Sequence, residues 1–292
     1  MAFDNFFSTD KKDLERFAGV PNFDLVRGSV TSSSDLARAF EAAGQAEAVF
    51  NLSAQSSSNP AAGTPEYTEE TNLRGPRLVC EAAREFCAGR LVYASSTRVY
   101  GDPLPEVVTE QTPYGRFGDL SHLSKCYAEK LLEMHCAGGD LSGFTLRLGL
   151  VFGVSPVMKS DYRFMTAPNK FVLQAVRGER LTVNSGNWVG AIHVADAAAG
   201  LIFLSGLPTK PGYQVFNLAP IIVRIDDIAQ VVVREAGRQG RQTTIERDDV
   251  VEVSECMPTI SSELAGRGFQ TTRTLDEGIS ETYRHFATRL CD

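Results

Sequence analysis

Apolar and polar residues alternate along the first half of the chain with two different periods. Phe23–Val30 is rich in β-forming residues, and Leu36, Ala39, Phe40 and Ala43 then recur at the spacing of one helix face. The same succession of strand and helix patterns continues at Ala46–Ala54, Thr71–Phe86, Arg90–Ser96, Leu123–His135 and Phe144–Gly153. Strands that alternate with helices predict an α/β fold whose parallel sheet is covered by helices on both faces.

The pattern loosens after Gly153, where the predicted strands become shorter. Leu181–Val183 and Gly190–Val194 have strand character, and Tyr213–Leu218 predicts one further strand of ordinary length. We therefore expect a sheet domain over residues 1–153. Residues 154–292 should form mainly a smaller lobe, interleaved with the last strands and helices of the main sheet.

Charge and composition narrow the class of partner. The net charge is -7 and no cluster of Lys or Arg stands out, which argues against a nucleic-acid partner. No apolar run approaches the ~20 residues that a membrane-spanning helix needs, and the first residues show no signal-peptide pattern. The six cysteines form no CxxC pair and the four histidines no HxxxH pair, so we expect no metal. These features predict a cytoplasmic protein with reduced thiols and a small-molecule substrate.

A series of short segments carries more specific information. In chain order they are FDN (Phe3–Asn5), NLSA (Asn51–Ala54), NLRG (Asn72–Gly75), SSTRVYG (Ser95–Gly101), LSKCYAEKLLE (Leu123–Glu133), LRLGLVFG (Leu146–Gly153), IHVADAA (Ile192–Ala198) and FNLA (Phe216–Ala219). Together they resemble the landmarks of the extended short-chain dehydrogenase/reductase family, of the NAD-dependent epimerase/dehydratase type. The resemblance implies a Rossmann-like doubly wound parallel sheet with a small C-terminal substrate lobe.

The resemblance also assigns roles to individual residues. Ser96 matches the family's catalytic Ser/Thr, Lys125 matches its catalytic lysine, and Ser121 stands where the catalytic tyrosine is expected. The family cofactor is NAD or NADP, and the implied contacts are Asp4, Asn5, Leu52, Ser53, Ala54, Asn72 and Lys125. A sugar-like or secondary-metabolite substrate is expected beside Thr97, Arg98, Tyr100 and Trp188.

The chain departs from this family at the phosphate site. Family members open with a strand and GxxGxxG, a unit of about 30 residues that binds the pyrophosphate at a helix N-terminus. Here FDN stands at the first residues, so the first β-α unit is lacking and Asp4 has no phosphate loop before it. The lacking strand is the central one of the sheet. We therefore expect unpaired backbone groups along two strands, and a cofactor site that is impaired.

The second departure is in the catalytic helix. The family uses Tyr-x-x-x-Lys, in which the lysine lowers the pKa of the tyrosine so that the phenol can exchange a proton with the substrate. Ser121 has a shorter reach and is a poor acid or base near neutral pH. His122 is adjacent but points about 100° away on a helix. Tyr114 lies eleven residues before Lys125, so neither residue is a simple replacement.

Three functional hypotheses follow. The first is an NAD(P)-dependent epimerase or reductase in which Tyr114 or another group replaces the tyrosine. The second is a cofactor-independent isomerase, lyase or cyclase that uses Ser96, Ser121 and Lys125, with His122 as a further candidate. The third is a non-catalytic homologue or a partner subunit. The resemblance also implies a homodimer through helices that include the one carrying Lys125.

Overall fold

The structure is a computed structural model that describes residues 1–9, 13, 14, 17, 19–57, 62–159, 161–183, 186–208, 210–247 and 255–289. The strands are β1 (Ala2–Asp4), β2 (Leu25–Arg27), β3 (Val49–Asn51), β4 (Arg90–Ser96), β5 (Val107–Val108), β6 (Ser142–Leu148), β7 (Leu150–Phe152), β8 (Leu181–Val183), β9 (Trp188–His193), β10 (Gly212–Leu218), β11 (Ile221–Arg224), β12 (Ile245–Arg247) and β13 (Thr259–Ile260). The α-helices are α1 (Ser33–Ala43), α2 (Pro65–Glu69), α3 (Gly75–Glu85), α4 (Leu120–Cys136), α5 (Ala167–Arg177), α6 (Val194–Gly206), α7 (Ile225–Arg238), α8 (Glu263–Gly266) and α9 (Leu275–Arg289). Shorter helical turns cover Glu70–Arg74, Thr97–Tyr100 and Tyr162–Phe164.

The main sheet contains parallel strands in the order β10-β6-β4-β3. β4 and β6 pair along their whole length, with Arg90 opposite Ser142 and Ser96 opposite Leu148. β3 is much shorter and pairs with β4 only from Val49 to Asn51. The prediction of a parallel sheet is confirmed, and the strand predicted at Arg90–Ser96 has those bounds in the structure.

Helices cover both faces of the sheet, because successive side chains of a strand point to opposite sides. On β4, Leu91 and Tyr93 pack into a core with α1, α3 and α4. Val92, between them, packs into a second core with α6, where Phe144 of β6 is fully buried. The alternation along β4 therefore positions α4 on one face of the sheet and α6 on the other.

The local sequence explains where α1 begins and ends. The Ser32 hydroxyl accepts a hydrogen bond from the Asp35 backbone N–H and so caps the first turn. Leu36 and Phe40 lie one turn apart and are buried against the sheet. At the other end Gly44 has a φ of 65°, and its N–H donates to the Glu41 carbonyl oxygen. A positive φ of this kind favours glycine.

The second half of the chain divides between a smaller lobe and the main sheet. α5, α7 and α9 pack together around Phe171, Val232 and Ile279. Beside them β9 pairs antiparallel with β11 and parallel with β7. β10 returns to the main sheet beside β6, so the second half also supplies an edge strand of that sheet. The boundary near residue 153 stays a prediction.

In the described part of the chain, β1 and β3 are each paired along one edge only. β1 pairs with β2 alone, and β3 pairs with β4 alone. Phe3 of β1 and Val49 of β3 pack against the same core, so both strands flank one region without pairing with each other. Beside them Phe50 is 40% exposed and Leu52 is 57% exposed. The expected lack of a central strand stays a prediction.

Candidate functional site

Lys125 lies on α4 and reaches the carboxyl end of β4. Its Nζ donates a hydrogen bond to the Ala94 carbonyl oxygen at 2.9 Å and lies 4.9 Å from the centroid of the Tyr93 ring. Burial lowers the pKa of Lys125 to about 8, while the negative charge of Glu129 opposes that shift. Because an ammonium group has three N–H donors, donors remain for the oxygen of a ligand.

Ser96 is the last residue of β4 and lies at the edge of the sheet where open α/β folds bind ligands. Its hydroxyl oxygen accepts a hydrogen bond from the Arg98 backbone N–H at 3.2 Å and so caps the turn Thr97–Tyr100. Ala94, which holds Lys125, precedes Ser96 by two residues on the same strand. The structure thus brings Ser96 and Lys125 to one edge of the sheet.

Asn72 ties the loop after β3 to α4. Its amide oxygen accepts from the Gln55 backbone N–H at 2.7 Å, and its Nδ2 donates to the Gln55 carbonyl oxygen at 2.8 Å. Nδ2 also donates to the Ser124 hydroxyl at 3.1 Å, and that hydroxyl donates to the Ser121 carbonyl oxygen at 2.7 Å. Asn72 is 4% exposed and Ser121 is 8% exposed. This placement favours a bracing role for Asn72 over a direct contact with a cofactor.

Tyr114, the tyrosine proposed as a replacement, is bound to a buried carboxylate. Its hydroxyl donates to Oε2 of Glu129 at 3.0 Å. Glu129 is completely buried and also accepts from the Ser95 hydroxyl and from Nη2 of Arg147, the latter at 2.6 Å. Burial and the charge of Glu129 both raise the pKa of Tyr114. A phenol that must lose a proton needs the opposite shift, so this placement disfavours Tyr114 as a replacement for the family's tyrosine.

Two of the predicted substrate contacts are core residues. Tyr100 is 1% exposed; its hydroxyl donates to Oδ1 of Asn217 at 2.6 Å and accepts from Nη1 of Arg147 at 2.7 Å. Thr97 is 3% exposed. The prediction for Tyr100 and Thr97 is therefore corrected: a side chain enclosed by the core does not reach a ligand in the cleft. Their contribution is to hold the turn that follows Ser96.

Arg98 and Trp188, the other predicted substrate contacts, are linked by a chain of polar contacts. Nη2 of Arg98 pairs with Oδ2 of Asp102 at 2.5 Å. The other oxygen of Asp102 accepts from Nδ2 of Asn187 at 2.8 Å. Asn187 directly precedes Trp188, whose ring lies 4.8 Å from the guanidinium carbon of Arg224. The turn after Ser96 is thereby fixed to the start of β9.

The residues predicted to bind the adenosine side of a cofactor lie at the end of β1. Oδ1 of Asp4 accepts from the Phe6 backbone N–H at 2.6 Å. Nδ2 of Asn5 donates to the Tyr67 hydroxyl at 3.3 Å. A carboxylate has several acceptor positions, so Asp4 keeps the capacity to bind a ribose hydroxyl.

The loop after β3 presents the remaining predicted cofactor contacts. The Ser53 hydroxyl and backbone N–H both donate to Oδ1 of Asn51, at 2.7 and 3.2 Å. Leu52 is exposed and Ala54 is half-buried. This loop is open to a ligand on its outer side, although Ser53 is already engaged with its own strand.

Taken together, these residues do not fit a whole nicotinamide dinucleotide. Asp4 and Lys125 fit its two ends, but the pyrophosphate needs a run of backbone N–H groups at a helix N-terminus, built from closely spaced glycines. The sequence up to residue 43 holds Gly19 and Gly28 only, nine residues apart. Gly28 serves packing instead, since a Cβ there would lie 2.5 Å from the Phe3 ring. The phosphate contacts are therefore not supplied by the residues described.

Sequence reasoning missed Asp119, which immediately precedes α4. One carboxylate oxygen accepts from the His122 backbone N–H at 2.9 Å and caps the helix. The other lies 2.6 Å from Nδ1 of the His122 ring. The hydrogen bonds to His122 lower the pKa of Asp119, and the charge of Arg98 adds to the effect. An Asp three residues before a His at a helix start is the signal that could have revealed this pair.

Comparisons with known proteins agree with this architecture. The family model described as "NAD dependent epimerase/dehydratase family" matches residues 4–219. The chain belongs to this family. The family member is 27% identical over 297 residues to UDP-glucuronic acid decarboxylase 1 of Danio rerio, covering 98% of this chain and 66% of the relative. It is 22% identical over 253 residues to UDP-glucose 4-epimerase of Bacillus subtilis, covering 82% of this chain and 74% of the relative.

Solved structures place the family member in the same fold. UDP-glucose 4-epimerase from Bifidobacterium longum, in complex with NAD+ and UDP, superposes with a TM-score of 0.82 at 19% identity. The match covers 98% of this chain and 90% of that one. The predicted Rossmann-like fold and the resemblance to extended short-chain dehydrogenases are thereby confirmed. Among its curated relatives, the family member spans only 66% of the length of the zebrafish decarboxylase and 59% of UDP-glucuronic acid decarboxylase 3 of Arabidopsis thaliana.

The described helices and side chains also bear on membrane insertion and metal binding. Within the residues that the structure describes, none of the helices is long and apolar enough to cross a membrane. The same residues include no group of three or more His, Cys, Asp or Glu side chains that could hold a metal ion.

Proposed function

We propose that this family member is an enzyme that moves protons, without hydride transfer, on a sugar-like substrate bound at Ser96 and Lys125. The observation that carries the proposal is the hydrogen bond of Tyr114 to Glu129. It removes the nearby phenol that an NAD-dependent reaction would need, at a site where Ser121 already stands in the tyrosine position.

The chemistry defines the class of substrate. A carbon-bound hydrogen is acidic enough for an ordinary side-chain base only when a carbonyl group is adjacent. Without a hydride acceptor to create that carbonyl, the substrate must already carry it. We therefore infer a keto sugar, and the UDP sugars named for the relatives suggest a sugar nucleotide.

The reaction would be redox-neutral. A base takes the proton from the carbon beside the carbonyl, and the C–H electron pair forms a carbon–carbon double bond while the carbonyl oxygen becomes an enolate. The Ser96 hydroxyl and the Lys125 ammonium donate hydrogen bonds to that oxygen, where charge develops. Return of a proton to the opposite face of that carbon restores the carbonyl with inverted configuration at the carbon, which is an epimerisation.

Thermal unfolding in the presence of candidate ligands tests this proposal. A ligand that binds only the native state raises the midpoint temperature of unfolding. At a concentration of 100 times its Kd, it adds about 2.7 kcal/mol to the free energy of unfolding. We expect a rise with the UDP ester of 4-keto-6-deoxyglucose and none with millimolar NAD+, NADH or NADPH. Lys125→Met should lose the rise, whereas Lys130→Met, on the same helix but paired with Glu133 in solvent, should keep it. A clear rise with NAD(H) would contradict the proposal and favour an NAD-dependent epimerase.

A second candidate function is that of a partner subunit, and a specific observation favours it. The free edges of β1 and β3 can each accept a strand from another chain. On α4, Leu123, Tyr127 and Met134 are 52%, 41% and 73% exposed, which supports the expected homodimer through that helix. Sedimentation velocity distinguishes a monomer from a homodimer, and a monomer at micromolar concentration would contradict the homodimer.

A further inference from the structure

We propose that Nε2 of His122 is the base of the proton transfer and that Asp119 positions its ring. The identity of the reaction rests on the proposed function, but the geometry of the pair is independent of it. The pair supplies a proton-accepting group that neither Ser121 nor Tyr114 provides.

The contacts of Asp119 define which ring nitrogen is available. One oxygen is fixed by the His122 backbone N–H at 2.9 Å, and the other lies 2.6 Å from Nδ1 of the same residue. An ionised carboxylate accepts hydrogen bonds and cannot donate them. Nδ1 therefore carries a hydrogen, and in the neutral ring Nε2 is the nitrogen whose lone pair can take a proton from a substrate.

The pair lies beside the predicted catalytic residues. His122 precedes Lys125 by three residues on α4, and residues three apart are neighbours on a helix surface. α4 packs against the turn Thr97–Tyr100 that directly follows Ser96. The charge of Arg98, on that turn, acts on the Asp119 carboxylate. These contacts place the N-terminal part of α4, which carries His122 and Lys125, against the turn that follows Ser96.

The exposure of the pair suits a reaction with a ligand. The side chains of His122 and Asp119 are 24% and 32% exposed, so a substrate can reach them while much of the ring remains covered. Asp119 is anchored as the cap of a 17-residue helix, which limits its movement. A positioned histidine base of this kind typically contributes about 10²–10⁴-fold to a rate.

The reaction step is balanced within the pair and the substrate. Nε2 takes the proton from the carbon beside the carbonyl and becomes imidazolium, which the Asp119 carboxylate stabilises. The electrons of the C–H bond form the carbon–carbon double bond, and the carbonyl π electrons move to the enolate oxygen held by Ser96 and Lys125. The proton on Nε2 exchanges with solvent before a proton returns to the carbon, so that solvent hydrogen enters the substrate and no oxidant or reductant is consumed.

The ring geometry is tested first, without any substrate. Long-range ¹⁵N–¹H NMR of the full chain distinguishes the two neutral tautomers of His122. We expect the Nδ1–H form in the wild type and its loss in Asp119→Ser. Serine retains the helix cap but is too short to hold the ring, so the fold should be kept. An Nε2–H tautomer in the wild type would overturn the inference whatever the activity.

The proton transfer is tested by deuterium exchange in D₂O, with the UDP ester of 4-keto-6-deoxyglucose as the probe and UDP-glucose as the alcohol control. We expect deuterium to enter the carbons beside the carbonyl. His122→Gln should slow this by about 10²-fold or more while the probe still raises the unfolding midpoint. Asp119→Ser should slow it by about tenfold or more. His135→Gln, at the far end of α4, is the matched control and should match the wild type.

The outcomes separate the two proposals. Exchange that persists within threefold in His122→Gln would overturn the role of His122 and leave the proposed function standing. A wild-type protein that binds the probe without any exchange would contradict the proposed function, and the base role would fall with it. Exchange lost in His122→Gln with binding retained supports both.

Discussion

Two regions of the structure differ in how completely the sheet is built. β4 and β6 pair over seven residues, and the buried Glu129 and Arg147 fix α4 against them. β1 and β3 pair over three residues each, and every described pairing of theirs is on one side only. The first region carries Ser96 and Lys125, whereas the second carries the predicted cofactor contacts. The region that carries Ser96 and Lys125 is therefore the more extensively paired one, and the impaired cofactor site expected from the sequence stays a prediction.

The largest expected effect concerns the buried pair that holds α4. Arg147 donates to Glu129 at 2.6 Å, and their side chains are 6% and 0% exposed. Glu129→Gln leaves the guanidinium charge buried without its counter-charge, so the free energy of unfolding should fall by about 3–5 kcal/mol. Urea denaturation measures this. Glu133→Gln, whose side chain is 46% exposed and pairs with Lys130, should cost about 0.5 kcal/mol or less. Equal losses in the two variants would show that burial does not make the Glu129–Arg147 pair more important than an exposed pair on the same helix.

The second expected effect concerns the ionisation of Lys125, which lies on the same helix as Glu129. Burial lowers the pKa of Lys125 to about 8 from its ordinary 10.5, so the folded state disfavours the charged form. This unfavourable contribution is complete below pH 8 and disappears as the pH rises from 8 to 10.5. Lys125→Met should therefore gain more stability over the wild type at pH 7 than at pH 10.

NMR of ¹³C-methylated lysines measures the titration of Lys125 directly. Because the Glu129 charge raises the pKa of Lys125, Glu129→Gln should lower it further. A Lys125 signal that titrates near 10.5 would show that the ammonium is well hydrated. Burial would then not distinguish the site around Lys125 from the region of β1 and β3.

The sequence predicted the fold well because hydrophobic periodicity records burial. The strand at Arg90–Ser96 and the parallel pairing both follow from patterns that are local or counted along the chain. The short segments of the family predicted which residues stand at the carboxyl edge. These features depend on the order of elements, which the sequence contains explicitly.

Side-chain partners were predicted less well, because they depend on residues distant in sequence. Tyr114 bonds to Glu129 across 15 positions, and Tyr100 bonds to Asn217 across 117. Neither separation is marked by a local motif, so Tyr100 was placed in the cleft although the structure puts it in the core. The role of Asp119 was missed for a different reason: a helix cap and a histidine partner are both common, and only their combination at α4 is informative.

The smallest expected effect concerns Phe50, and it tests the comparison most directly. Phe50 on β3 is 40% exposed, whereas Phe144 on β6 is completely buried. Phe144→Ala removes a full side chain from a packed core and should cost about 3–5 kcal/mol. Phe50→Ala removes a ring that is already 40% exposed and should cost about 1 kcal/mol or less. Urea denaturation of the two variants measures both costs. A loss for Phe50 as large as that for Phe144 would mean that the ring is covered in solution more fully than in the structure, as it would be by a strand of another chain.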